Sequence, residues 1–100
     1  MPNFNSTLFL THLPDDVGRF DIERAFGVEG KILDIGIKVL QRNRPRRNII
    51  AFVTFEYRVD AKAAWNRIDT VNGKRIRVSW ARPGWYFRSQ ADTVRVTPFL

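Results

Sequence analysis

One hundred residues with 44% hydrophobic content suit a single domain of modest size, with enough apolar side chains to bury a core. The absence of cysteine excludes a disulfide framework and a thiolate metal site, and a lone histidine does not hold zinc by itself. Lys and Arg number 17 against 10 Asp and Glu, a net charge of +7 that suits a protein meeting a polyanion, and no run approaches the roughly 20 apolar residues that span a bilayer.

In chain order, the N-terminal stretch "MPNFNSTLFLTHLPDD" lacks the charged start and small-residue cleavage site of a signal peptide. The expectation is a soluble intracellular protein, nuclear or cytoplasmic, with no metal, no cofactor, no membrane and no small-molecule substrate. "TLFLTHL" (Thr7 to Leu13) alternates, with Leu8 and Leu10 on one side and Phe9 and Thr11 on the other, and stops at "PDD", as a first strand and turn should. "RFDIERAF" (Arg19 to Phe26) sets Phe20 or Ile22 with Ala25 and Phe26 at helical spacing. Asp15 or Asp16 stands near its start and Gly27 near its end. "KILDIGIKVL" (Lys31 to Leu40) is a second strand, with Ile35, Ile37 and Val39 alternating against Gly36 and Lys38.

The loop "QRNRPRR" leads into "NIIAFVTF", a third strand. There Ile49, Ala51, Val53 and Phe55 share a core-facing side, and Asn48, Ile50, Phe52 and Thr54 share the other. A large aromatic on a face shown to water marks a site or an interface, so Phe52 is the residue to explain. "VDAKAAWNRI" (Val59 to Ile68) places Ala61, Ala64, Trp65 and Ile68 at i, i+3, i+4 and i+7, a helix whose small residues let it lie close to a sheet. The Asn-Gly of "DTVNGK" marks a turn, and "RIRVSWA" alternates Ile76, Val78 and Trp80 inward with Arg77 and Ser79 outward as a fourth strand. The fold class is therefore α+β: a ferredoxin-like βαββαβ sandwich, with a four-stranded antiparallel sheet and two helices on one face. The expected boundaries are 6–83 for this domain and 84–100 for a C-terminal extension carrying Trp85, Tyr86, Phe87, Val94, Val96 and Phe99. That extension is too apolar for a disordered linker, so it either packs on its own domain, where it could cover Phe9 and Phe52, or reaches a partner. The six residues are a candidate protein interface, and a homodimer or other protein partner is the expectation. The abrupt end at "TPFL" hints at a fragment of a longer chain.

Over roughly Thr7 to Pro83 these residues resemble the RNA recognition motif family. "LFLTHL" is similar to the family's six-residue motif on the first strand, with Phe9 at its aromatic position. "NIIAFVTF" is similar to the eight-residue motif, which Ala51, Phe52, Val53 and Phe55 match. Asn48 replaces that motif's basic residue, Ile49 its glycine and Ile50 its first aromatic, and His12 stands where the shorter motif usually has Asn. The resemblance implies that Phe9 and Phe52 stack bases of single-stranded RNA while Ile50 gives apolar contact only. Arg42, Arg44, Arg46 and Arg47 flank these rings and suit phosphate contact, since arginine pairs with phosphate in a planar fork. Thr11, Lys38, Asn48, Arg77, Ser79 and Arg82 complete the candidate RNA-binding set.

Three classes of function compete at this point. One is a module that stacks a few unpaired nucleotides and catalyses nothing. A second is a divergent RNA recognition motif acting mainly as a protein-protein interaction module, in dimerisation or complex assembly. The third, an enzyme such as a small phosphatase on the same topology, is rejected because "THLPDDVGR" offers acids where an anion-cradling loop needs amides and a cation.

Overall fold

The computed structural model of the protein describes residues 4–39 and 49–82. A 3-10 turn (Phe4–Ser6) leads into β1 (Thr7–Thr11), followed by α1 (Arg19–Phe26), a second 3-10 turn (Gly27–Glu29), β2 (Ile32–Val39) and β3 (Ile49–Phe55). Then come α2 (Arg58–Arg67), the short strands β4 (Thr70–Val71) and β5 (Lys74–Arg75), and β6 (Arg77–Trp80). The main sheet is antiparallel in the order β2-β3-β1-β6, and β4 and β5 form a separate hairpin. This is the expected ferredoxin-like arrangement with one hairpin added.

Register explains the core. Leu8 stands opposite Val53 and Leu10 opposite Ala51, so the apolar side chains of the two central strands share one face. Ile22 and Phe26 of α1 and Ala61 and Ala64 of α2, all fully buried, close over that face. Leu13, Ile49 and Val71 join the core as well. Ile37 and Val78 are only partly buried, because they lie on the two edge strands, where helix cover runs out.

Helix α1 keeps the expected bounds but starts differently from expectation. Its N-cap is Gly18, and the Gly18 N–H donates to Asp21 Oδ2 at 2.8 Å. Asp21 thus does the capping expected of Asp15 or Asp16, because a carboxylate in the first turn can reach back to a free amide. That hydrogen bond, then one from Asn72, then the Arg24 guanidinium hold the Asp21 carboxyl below its ordinary pKa. Gly27 closes the helix in a right-handed conformation, so the chain runs straight on into the 3-10 turn. Gly30 ends that turn with its α-carbon against Asp60 of α2, where a β-carbon would collide with the Asp60 side chain.

Asn72 (φ 53°) and Gly73 (φ 81°) are both left-handed, as a two-residue hairpin of type I′ requires. The sequence marks this turn, but the strands on either side are too short to show alternation. The last strand consequently begins at Arg77 and not at Arg75, and the Ile76 N–H bonds the Asp69 carbonyl.

Candidate nucleic-acid interface

The sheet face away from the helices is built in rows. Gly36, Phe52, Phe9 and Ser79 stand side by side across the four strands. Lys38 faces Ile50 on β2 and β3, and Arg77 faces Thr11 on β6 and β1. Asp34, Thr54 and Thr7 make a third row, in which the Thr7 and Thr54 hydroxyls are 2.9 Å apart. The sequence placed Phe9, Thr11, Lys38, Ile50, Phe52, Arg77 and Ser79 on one face, and the registers bring all of them together.

Their surroundings differ sharply. Phe52 is 1% exposed, Lys38 2% and Ile50 5%. The expectation that Phe52 and its neighbours lie bare to water is corrected here: Ile50, Phe52 and Ala81 form a second apolar cluster with Phe9 packed against it. Alternation fixes which face of the sheet a side chain joins and not how far that face is covered. The ring centroids of Phe9 and Phe52 are 5.1 Å apart and the planes are tilted by 41°, a spacing typical of aromatic pairs. On β1 and β6, by contrast, Phe9, Thr11 and Ser79 are half-buried, and Arg77 and Arg82 are exposed.

Beside Arg77 opens a cleft of about 370 Å³ lined by His12, Lys74, Arg75, Ile76 and Arg77. Lys74 Nζ donates to the Leu13 carbonyl at 3.2 Å, which ties the β4–β5 hairpin to the end of β1. His12 has φ 62°, and its Nδ1 lies 3.1 Å from Thr11 Oγ1. His, like Asn and Asp, enters the left-handed region more readily than most residues, so this turn suits His12. Lys74 and Arg75 belong to the basic stretch "KRIRVSWAR", whose alternation predicts a last strand beginning at Arg75. What the sequence lacked was the hairpin that turns them toward Arg77.

Arg42, Arg44, Arg46, Arg47 and Asn48 lie outside the described residues, as do Trp85, Tyr86, Phe87, Val94, Val96 and Phe99. Among the described residues no group of three or more His, Cys, Asp or Glu gathers to hold a metal, and no helix is long and apolar enough to cross a membrane.

The strand order and the paired rings on the helix-free face define a class, and comparison with known proteins agrees. The family model described as RNA recognition motif matches residues 8–77, and the chain belongs to that family. It is 36% identical over 94 residues to the serine/arginine-rich splicing factor SR34A of Arabidopsis thaliana, a match covering 92% of this chain and 29% of the relative. Similarity to the splicing factor SR30 of the same plant is 34% over 91 residues, covering 89% and 32%. The chain thus spans about a third or less of the length of these curated relatives. Among solved structures, a Sex-lethal protein–RNA complex superposes with a TM-score of 0.64 at 29% identity, covering 80% of this chain and 48% of that one. The third RNA recognition motif of Mip6 superposes at 0.70, with 22% identity over 81% of this chain and 98% of that one, a likeness of fold alone.

Proposed function

We propose that the protein is a binding module for short single-stranded RNA, without catalytic activity of its own, and that the open half of the helix-free face is where RNA sits. The observation that carries this reading is Phe9, half-buried on a central strand, with Ser79 beside it and Thr11 and Arg77 in the adjoining row. A base stacks on the Phe9 ring, a sequence-tolerant contact because every base has a π-face. Arg77, Arg75 and Lys74 then lie along one path for the phosphates, and the sequence adds Arg42, Arg44, Arg46 and Arg47, outside the described residues, as further candidates for phosphate contact. The family, the complex of Sex-lethal with RNA and the splicing-factor relatives all support RNA as the partner and RNA processing as the setting.

Phe52 takes a different role from Phe9. A base reaching it has to displace the groups that bury it, so Phe52 serves first as the support on which Phe9 leans. A second reading, a protein-protein interaction module, is supported by the incomplete motif, in which Ile50 has no π-face to stack a base and packs into the apolar cluster instead.

Fluorescence anisotropy with a labelled single-stranded RNA of mixed sequence tests the proposal. Phe9→Ala should weaken binding by roughly 1–3 kcal/mol, the worth of one stacked base. Unchanged affinity in a folded Phe9→Ala protein removes the sheet from RNA recognition and leaves the protein-interaction reading.

A further inference from the structure

A second surface lies at the far edge of the sheet, between α2 and β6. A cleft of about 410 Å³ is lined there by Trp65, Val78, Ser79, Trp80 and Arg82. The Trp65 and Trp80 ring centroids are 5.7 Å apart, and Trp65 keeps 41% of its surface in water. The Arg58 guanidinium lies 4.4 Å above the Trp80 ring and donates to the Asn5 carbonyl at 2.6 Å. Helical spacing sets Lys62 between Arg58 and Trp65 on the same side of α2, and all three are exposed.

The backbone of β6 supplies the second half of the argument. Among the described residues, β6 pairs only with β1. The Ala81 N–H bonds the Thr7 carbonyl, Ser79 stands opposite Phe9 and Arg77 opposite Thr11. Antiparallel ladders alternate their bonding direction, so the N–H and C=O of Val78 and Trp80 point away from β1, along the cleft. Unpaired strand edges of this kind take up extended polypeptide, whose backbone completes the ladder. An RNA strand has no such ladder to offer. The cations Arg58, Lys62 and Arg82 around the edge set the sign of the occupant's charge.

We propose that this edge docks an extended acidic peptide as an added strand on β6, with an apolar side chain of the peptide resting against Trp65 and Trp80. The segment "TVRVT" of this chain has the β-branched alternation of a strand but carries Arg95, so it lacks the charge complementarity.

The test uses the full chain, isotope-labelled for NMR, and a synthetic nine-residue peptide alternating Glu with Val. Saturable shifts at the Val78 and Trp80 amides and the Trp65 indole are expected. The response should fall at least about tenfold in affinity in Trp65→Ala, as for an interface anchor. Lys62→Glu, a change on an exposed helix position, should weaken the acidic peptide and tolerate one in which Lys replaces Glu. A peptide N-methylated at alternate residues should lose binding. The proposal is overturned by no saturable shift, by equal binding of the N-methylated peptide, or by the same residues responding to oligouridine and not to the acidic peptide. Val78 and Trp80 amides already protected from hydrogen exchange in the free chain also overturn it, because the chain itself or a second copy then occupies the edge.

Discussion

The two halves of the helix-free face carry similar residues and differ in what they leave to solvent. On β2 and β3, Lys38, Ile50 and Phe52 are buried, whereas on β1 and β6, Phe9, Thr11 and Ser79 are half-buried and Arg77 is exposed. Phe9 and Phe52 are the same residue type, directly opposite in the ladder and in ring contact. Residue type and pleat therefore decide which face a side chain joins, and the surroundings of that face decide whether it is a contact surface or a support. Stability and RNA affinity should accordingly come apart between the two halves.

The largest effect is expected at Phe52. Truncating a buried Phe to Ala removes its apolar contacts and leaves a cavity, so Phe52→Ala should lose about 3–5 kcal/mol of stability in urea unfolding. A change at the level of an exposed site would mean that the two halves are equally open. Ile50→Phe, which restores the family's aromatic, sharpens the comparison from the other side. In an open site it would tighten RNA binding; at 5% exposure it should instead overfill the cluster and destabilise by about 1–3 kcal/mol.

A smaller effect is expected on the basic side of the open half. Each phosphate neutralised on a single strand adds about 0.7 to the slope of log affinity against log salt. Replacing Arg75 and Arg77 by Gln should flatten that slope for all RNA sequences alike, with the fold retained. A loss confined to some sequences would assign these arginines base contacts instead.

The smallest effect lies away from both halves, at Asp21. Its folded pKa is lowered, first by the Gly18 N–H, so its contribution to stability is present above the unfolded value near 3.8 and is lost as pH falls through the folded one. The acid limb of unfolding should therefore be shallower in Asp21→Asn than in the parent. Identical acid limbs would show that the Gly18 N–H gains nothing from the charge on Asp21.

Much of this was legible in the residues. Apolar periodicity placed α1 at its observed bounds, and it placed α2 at Val59–Ile68 where the structure has Arg58–Arg67. Alternation assigned Phe9, Ile50 and Phe52 to one face because side-chain direction in a strand is a local property. Burial on that face is not local, which is why an alternating pattern indicated an open Phe52 where the structure has a buried one. The β4–β5 hairpin escaped for a related reason: its two-residue strands are defined by their partners and not by their own pattern. Trp65 and Trp80 read as packing residues in the sequence. Among the described residues, the strand order leaves β6 at an edge beside them, and Trp65 keeps 41% of its surface in water.

The central claim is that RNA occupies the β1–β6 half of the helix-free face. Its most direct test is an NMR titration of the labelled full chain with single-stranded RNA, following Phe9, Thr11, Arg77 and Ser79 against Lys38, Ile50 and Phe52. The account predicts early, saturable shifts at the first group, with the second group following weakly through the Phe9–Phe52 ring contact. Shifts that begin at Lys38, Ile50 and Phe52 and leave Phe9 and Arg77 unmoved would contradict it.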